Sequence, residues 1–204
     1  MLNPIRCLIV AGMIGSGFPS AAMALTQPPI DYALGTMALK FSNSNHFDQI
    51  QLVHDTVMGG RSRGAVEQVS DPVGVRFYGE LSLANNGGFA SAEFRLADAL
   101  PEFAYNSIRL HLAADGRVYQ LRLKTPYIPR GVAYVAHFQS SEQQPYYDFQ
   151  QSAFVGQFRG RQVRNVPALN LADVTHVSVM LADKNSGLFD IVLYSIDFSS
   201  LQTI

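Results

Sequence analysis

Residues 53–62 read VHDTVMGGRS and residues 77–91 read FYGELSLANNGGFAS, and these two stretches are the most informative part of the chain. In both, glycines stand beside short runs that read as strands. Asn and Gly tolerate the positive φ angles that tight turns require. The run Asn85-Asn86-Gly87-Gly88 therefore predicts a tight hairpin, and Asp115-Gly116 predicts a second one.

Alternation of apolar and polar residues with a period of two extends through much of the chain. It is clear at Leu110 and Leu112 and again at Leu121 and Leu123, and it is typical of half-buried strands. We predict further strands at 36–42, 64–69, 73–81, 88–95, 132–139, 174–182 and 188–198. The fold class is then all-β, an antiparallel β-sandwich. The predicted core comprises Leu110, Leu112, Leu121, Leu123, Val179, Leu181, Ile191 and Leu193.

Helical content is expected to be minor and confined to short helices. Three segments are predicted to form a turn or two: His46 to Ile50, capped by Ser44 or Asn45, Leu96 to Phe103, and Leu169 to Asp173, capped by Asn170. The stretch from Ser140 to Gly156 is rich in Gln, Ser and Tyr. We interpret it as a loop or a weak edge strand.

The N-terminal segment is typical of a secretory signal. Arg6 precedes an apolar run over 7–17, and Ala22-Met23-Ala24 provides a small-x-small cleavage site. The run is too short for a membrane span. We predict a signal peptide at 1–24, an extended lead-in at 25–35 and one β-sandwich domain at 36–204. The mature chain is expected to be exported, periplasmic or secreted, and not membrane-spanning. Since Cys7 is the only cysteine and lies in the predicted signal peptide, the mature chain is expected to have no disulfide.

Composition and motifs exclude several functions. The formal net charge is -1 and 15% of residues are charged, which provides no footprint for nucleic acid. Ser62, His54 and Asp55 contain the residue types of a catalytic triad, but there is no G-x-S-x-G elbow, and we interpret His54 as a polar-face strand residue. His111, His137 and His176 are interpreted as three separate imidazoles rather than a metal site. The sequence therefore predicts no enzyme, no metal and no cofactor.

Further blocks follow the two opening stretches in a fixed order. They are Asp115-Gly116-Arg117 with Tyr119-Gln120, the alternation of Tyr134, Ala136 and Phe138, Phe158-Arg159-Gly160-Arg161, and Met180 to Phe189. Together the blocks resemble the complex I intermediate-associated protein 30 family. The resemblance implies a jelly roll of the galactose-binding-domain-like type. It also implies a non-catalytic binding protein, since mitochondrial members of that family are assembly factors for respiratory complex I.

From the resemblance we predict a protein-binding, assembly-factor or chaperone-like module. Its partner is expected to be a protein, and a membrane complex is one candidate. Arg117 is expected to contact Asp55 or a partner, and Asp–Arg pairs are expected to hold the loops at one end of the sandwich. The predicted binding residues are Asp55, Met58, Gly59, Gly60, Ser62, Asn86, Arg117, Arg159, Arg161, Asp183 and Lys184.

The alternative is a carbohydrate-binding module with a glycan as ligand. Sugar platforms favour flat aromatic rings, and this chain contains no tryptophan. The family pattern has tryptophans near Gln51 and Tyr146, where this chain departs from it. Tyr127, Tyr146 and Tyr147 are the candidate replacements.

Overall fold

The computed structural model of the chain describes residues 36–43 and 45–200, so the predicted signal peptide, the lead-in and Ser44 lie outside the described residues. The strands are β1 Thr36–Lys40, β2 Phe47–His54, β3 Arg63–Ser70, β4 Val73–Leu81, β5 Ala90–Leu96, β6 Ser107–Ala114, β7 Val118–Lys124, β8 Val132–Gln139, β9 Tyr146–Gln150, β10 Val155–Phe158, β11 Arg161–Gln162, β12 His176–Leu181 and β13 Gly187–Ser199. Short 3-10 turns occupy Asp55–Met58, Ala84–Asn86, Gln151–Ala153 and Leu171–Asp173. In the part of the chain described here, no helical segment has the length and apolar character to cross a membrane.

The strands form two antiparallel sheets. The six-stranded sheet has the order β3-β4-β13-β6-β9, and β1 also pairs with β13. The seven-stranded sheet has the order β11-β10-β8-β7-β12-β5-β2. Each strand pair is antiparallel, as the register of its residues shows. The predicted fold class, an all-β antiparallel sandwich, is confirmed.

The core lies between the two sheets. All eight residues predicted for it are fully buried in one hydrophobic cluster, which confirms that prediction. Phe77 and Phe189 of the six-stranded sheet pack with their ring centroids 4.9 Å apart. Burying a large apolar side chain contributes about 1.5–3 kcal/mol. The alternation in the sequence thus reports correctly which face of each strand meets the other sheet.

The short helix predicted over His46 to Ile50 is wrong, because Phe47 begins strand β2. The register between β2 and β5 shifts between Phe47 and Gln49, which marks a bulge or irregularity. An extra residue on one strand disturbs its period-two pattern. The apolar residues Phe47 and Ile50 are consequently three positions apart, a spacing that resembles one face of a helix.

The two predicted hairpins are wrong as hairpins. The segment after β4 leads to β5 in the other sheet, and Asp115-Gly116 likewise connects β6 with β7 across the sandwich. The predicted conformations are nevertheless present, since Asn85 and Asn86 have φ of 57° and Gly116 has φ of 85°. Turn residues specify the local backbone and do not determine which strands pair.

Of the remaining local predictions, two are confirmed and one is wrong. The turn at Leu171–Asp173 is confirmed, with the Asn170 side chain accepting a hydrogen bond from Ala172 N. No helix forms over Leu96 to Phe103, where β5 ends and an irregular segment follows. Of the two alternatives predicted for 140–156, a loop or a weak edge strand, the edge strand is present as β9, which lies at the edge of the six-stranded sheet.

Candidate functional site

The loops that carry most of the sequence motifs meet at one end of the sandwich. His54 pairs with Ala90, and Ala90 pairs with Leu181. Leu181 in turn pairs with Tyr119, so a single row crosses the seven-stranded sheet at this end. The motif end, as we call it, comprises the loops 55–62, 82–89, 115–117 and 182–187 that adjoin this row.

Asp55 is the centre of one hydrogen-bond network at the motif end. Its carboxylate is fully buried and accepts hydrogen bonds from Ser62 N at 2.9 Å, Gly88 N at 2.6 Å and Phe89 N at 3.3 Å. Ser62 Oγ also donates to it, and Ser82 N donates to Ser62 Oγ at 3.0 Å. Burial alone raises the pKa of Asp55, but these hydrogen bonds outweigh it and hold the pKa below its ordinary value. Asp55 and Ser62 therefore join two loops to each other.

Glycines of the two opening stretches, 53–62 and 77–91, leave room for this network. A Cβ atom at Gly60 would overlap Cγ of Asp55, and one at Gly87 would lie 2.5 Å from Asp55 Oδ2. Gly59 has open space around it but adopts φ of 88°, a left-handed conformation that favours glycine. Gly60 is consequently required by packing and Gly59 by backbone conformation.

Arg117 is the centre of a second network at the same end. Its guanidinium binds Asp183 through two hydrogen bonds, from Nε to Oδ2 at 3.0 Å and from Nη2 to Oδ1 at 2.7 Å. It also donates to the carbonyl groups of Asn185, Gly187 and Leu188. The sequence predicts that Arg117 contacts Asp55 or a partner, whereas the carboxylate it binds in the structure is that of Asp183. The prediction that an Asp–Arg pair holds these loops is confirmed for this pair.

The Arg117–Asp183 ion pair is largely buried. The two side chains are 13% and 5% exposed. Burial raises the pKa of Asp183, but the hydrogen bonds from Arg117 and Asn185 lower it by more, so the net shift is downward. Asp115 supports the same region, because it accepts hydrogen bonds from Arg117 N at 3.1 Å and Asp190 N at 2.9 Å.

The other predicted residues of the motif end are exposed. Asn86 and Lys184 lie at the surface with φ of 57° and 63°. Asn85 rather than Asn86 connects the loops, since its Nδ2 donates to the Gly59 carbonyl at 3.0 Å. The sequence offers no way to choose between these two adjacent asparagines.

Arg159 and Arg161 lie elsewhere. Phe158 pairs with Val132, the first residue of β8, whereas the last residue of β8 pairs beside Arg117. The two arginines are therefore at the opposite end of the sandwich. Arg159 lies over the Phe158 ring, 5.3 Å from its centroid. The structure does not bring these residues together with Asp55 and Arg117.

The surface of the motif end is apolar at its loop tips. Val57, Met58 and Leu83 are 74%, 56% and 44% exposed, and Leu188 beside Gly187 is 80% exposed. The hydrogen bond between Asn85 and Gly59 joins the loop that carries Val57 and Met58 to the loop that carries Leu83. Of these four residues the sequence predicts only Met58 as a binding residue, because exposure of the other three depends on the tertiary fold.

The residue types of a catalytic triad do not assemble into one. Ser62 Oγ donates to Asp55 and not to His54. The His54 ring lies on the core side of β2, where a Cβ on Gly64 would come 2.6 Å from its Nε2, so its interpretation as a polar-face residue is wrong. Burial lowers the pKa of His54, and among the described residues its Nε2 has no hydrogen-bond partner.

Histidine positions also speak against a shared metal site. His111 lies on the six-stranded sheet, whereas His137 and His176 lie on the other one. Within residues 36–43 and 45–200, no three His, Cys, Asp or Glu side chains form a group suited to a metal ion.

The tyrosines considered as sugar platforms are dispersed. Tyr147 is buried, so it is unsuited to that role, and Tyr127 is tied to the 168–170 segment by hydrogen bonds. Tyr146 is 48% exposed on the six-stranded sheet and stacks on His111 at 4.6 Å.

Comparison with solved structures defines the class of fold. The chain is similar to a family 11 carbohydrate-binding module from Clostridium thermocellum in complex with a β-1,3-1,4-mixed-linked tetrasaccharide, with a TM-score of 0.60 and 14% identity, over 82% of this chain and 97% of that one. It is equally similar to the family 11 module of a cellulosomal cellulase from the same organism, with a TM-score of 0.60 and 14% identity over 83% and 98%. At this identity the likeness establishes the fold alone. The protein is a β-sandwich of the galactose-binding-like type.

A sequence model of one family matches residues 39–193, and its description is Complex I intermediate-associated protein 30. The chain belongs to the Complex I intermediate-associated protein 30 family. The resemblance found in the motifs is thereby confirmed. No curated protein matches the chain.

Proposed function

We propose that this chain is an exported, non-catalytic module that binds a protein partner through the motif end. One observation carries the proposal: apolar loop tips, Val57, Met58 and Leu83, are exposed on loops that buried polar networks hold in place. Single exposed apolar side chains are common on protein surfaces, but a cluster of them on one surface is typical of an interaction site.

The networks matter because they fix the loops before binding. Asp55 links the loop that carries Val57 and Met58 to the segment at Gly88, and Arg117 holds the segment that carries Leu188. A preorganised surface loses less conformational entropy on association, so more of the contact energy appears as affinity. Methionine adds an adaptable apolar contact. In this account most charged motif residues support the surface rather than touch the partner.

Two further features support the proposal. The family to which the chain belongs is described by its association with an intermediate of complex I. The N-terminal sequence, with Arg6, the apolar run and Ala22-Met23-Ala24, favours export. The proposed partner is thus a protein of the cell envelope, assembled or stabilised in an assembly-factor or chaperone-like manner.

Site-specific photo-crosslinking in the native cell tests this function. A photoreactive residue at Val57 or Leu188 should crosslink one defined protein, whereas the same residue at Val73 should not. Val73 is a matched control because it is 42% exposed and begins β4, away from the motif end. Equal crosslinking from Val57 and Val73 to the same proteins would contradict the proposal.

A second candidate is glycan binding on the outer face of the seven-stranded sheet. The observation that favours it is a polar outer face, on which Gln51, Glu93, Ser178 and Arg122 follow one another in register across four strands. The fold is also that of modules described as carbohydrate-binding. A glycan array tests this candidate: the signal should fall with Gln120→Ala and be unchanged by Tyr146→Ala. Dependence on Tyr146 instead would place sugar binding on the other sheet.

A further inference from the structure

Arg122 occupies the centre of the outer face of the seven-stranded sheet. It lies on β7, the fourth strand in the order of seven, between the core-facing Leu121 and Leu123. Ser178 of β12 and Val135 of β8 are its register neighbours. A row of outward-facing side chains therefore crosses the sheet through Arg122.

The centre of this outer face is largely shielded from water. Side chains on the outer face of a sandwich normally meet water, yet Ser178, Val135 and Gln120 are 2%, 1% and 7% exposed. None of the three belongs to the hydrophobic cluster between the sheets. The side chains that flank the row thus enclose it.

One cation on this face, Arg122, has no anionic partner among the described residues. Arg122 Nη1 donates to Gln120 Oε1 at 3.0 Å, and in the described part of the chain Arg122 forms no ion pair. Glu93, whose negative charge acts on Arg122, is instead bound to Lys124 Nζ at 2.5 Å. Burial lowers the pKa of Arg122, and the nearby Glu93 raises it by less. A desolvated guanidinium with most of its five donors unused favours a ligand that supplies an oxyanion.

The chemistry of the face narrows the ligand further. Gln51, Glu93, Ser178 and Arg122 follow one another in register across four strands and offer both donors and acceptors. Strands are spaced by about 4.8 Å, so the six strands from β2 to β10 span roughly 24 Å. On the described central strands β5, β12, β7 and β8 no outward-facing residue is Phe, Tyr or Trp. The face suits an extended, hydroxyl-rich chain that carries negative charge better than a neutral sugar held by ring stacking.

We propose that the outer face of the seven-stranded sheet binds an acidic oligosaccharide, with Arg122 holding a sugar carboxylate through two parallel hydrogen bonds. The inference rests on the glycan-binding candidate function and specifies its substrate class. Bidentate pairing with carboxylate is the particular capacity of arginine, which lysine lacks. Gln120 positions the guanidinium, and Lys124 neutralises Glu93 so that it does not repel the ligand.

Isothermal titration of the full chain with a galacturonate hexamer, a neutral β-glucan hexamer and inorganic phosphate tests this inference. The acidic hexamer should bind, and its affinity should fall at least tenfold with Arg122→Gln and by less with Arg122→Lys. Arg109→Gln should leave the affinity unchanged, because Arg109 lies on the other sheet and pairs with Asp148. Raising the salt concentration should weaken binding of the acidic hexamer, since added ions screen charge.

The outcomes that overturn the inference are distinct. Equal affinity for the neutral and acidic hexamers would remove the charge preference and leave glycan binding in place. If neither hexamer binds, both the acidic-oligosaccharide inference and the glycan-binding candidate function are wrong. Phosphate binding as tightly as the acidic hexamer would identify a free-anion site instead. Melting temperatures verify that the variants fold; if Arg122→Gln does not, an Arg122→Lys affinity equal to wild type, together with salt-independent binding, contradicts the inference.

Discussion

Arg117 and Asp183, 66 residues apart in the chain, form a two-pronged ion pair with N–O distances of 3.0 and 2.7 Å. The pair joins the loop before β7 to the loop after β12. The remaining donors of Arg117 reach three backbone carbonyl groups of the 185–188 segment. The motif end of the sandwich thus has a structural centre made of the residues that its sequence motifs mark most clearly.

Replacing Arg117 should destabilise the fold. Arg117→Ala leaves the carboxylate of Asp183, 5% exposed, without a counter-charge, and we expect a loss of about 3–5 kcal/mol in the free energy of unfolding. Urea denaturation measures it. The matched control is Arg109→Ala, whose pair with Asp148 is 53% and 57% exposed and should contribute about 0–1 kcal/mol. Similar losses in both variants would show that the buried pair has no special role.

Asp55 should give the protein an acid-sensitive stability. Its pKa is lowered in the folded state, so its contribution is present above the unfolded value of about 3.9 and is lost as pH falls through the folded value. The free energy of unfolding should therefore fall below about pH 5. Asp55→Asn should flatten that slope, whereas Asp98→Asn, at an exposed position, should retain it. An unchanged slope in Asp55→Asn would contradict the network.

The two glycines of the first motif should respond differently to alanine. Gly60→Ala places a Cβ against the buried Asp55 carboxylate, and such overpacking typically costs about 1–3 kcal/mol or more. Gly59→Ala meets no atom within 4 Å and should cost only the strain of its left-handed conformation, about 1–2 kcal/mol. The diagnostic effect is on Asp55: only Gly60→Ala should also change the acid slope. An acid slope altered equally by both substitutions would refute the assignment.

Substitutions on the two faces of β7 should change the free energy of unfolding by very different amounts. Leu121→Ala creates a cavity in the core and should cost about 2–5 kcal/mol. Arg122→Ala should change the free energy of unfolding by less than about 1 kcal/mol, because it removes a desolvated charge that lacks an ion-pair partner among the described residues. Chemical denaturation of both variants decides this, and a larger loss in Arg122→Ala would mean that the face is structural.

Much of the fold follows from the sequence because alternation is a local signal. It places Leu121 in the core and Arg122 on the opposite face correctly. The alternation fails at β2, where the register with β5 shifts between Phe47 and Gln49. The apolar residues Phe47 and Ile50 are therefore not separated by an even number of positions, and their spacing of three resembles that of a helix. At Asp115-Gly116 turn chemistry is read correctly and strand pairing is not, since pairing depends on the whole sheet.

The site is less predictable than the fold, because its contacts join residues that are far apart in the sequence. The sequence identifies Arg117 and an acidic partner, but only the fold selects Asp183 over Asp55. It also cannot show that Gln120 is buried beside Arg122, because burial depends on side chains from several strands.

We propose that the apolar loop tips of the motif end bind a protein, and the measurement that decides this is the affinity for the partner found by crosslinking. The measurement compares wild type with Met58→Asp and Val73→Asp, both at exposed positions. Met58→Asp should weaken binding at least tenfold with an unchanged melting temperature, because a charge is buried at the interface, whereas Val73→Asp should bind as wild type does. Wild-type affinity in Met58→Asp, or equal loss in both variants, would contradict the account.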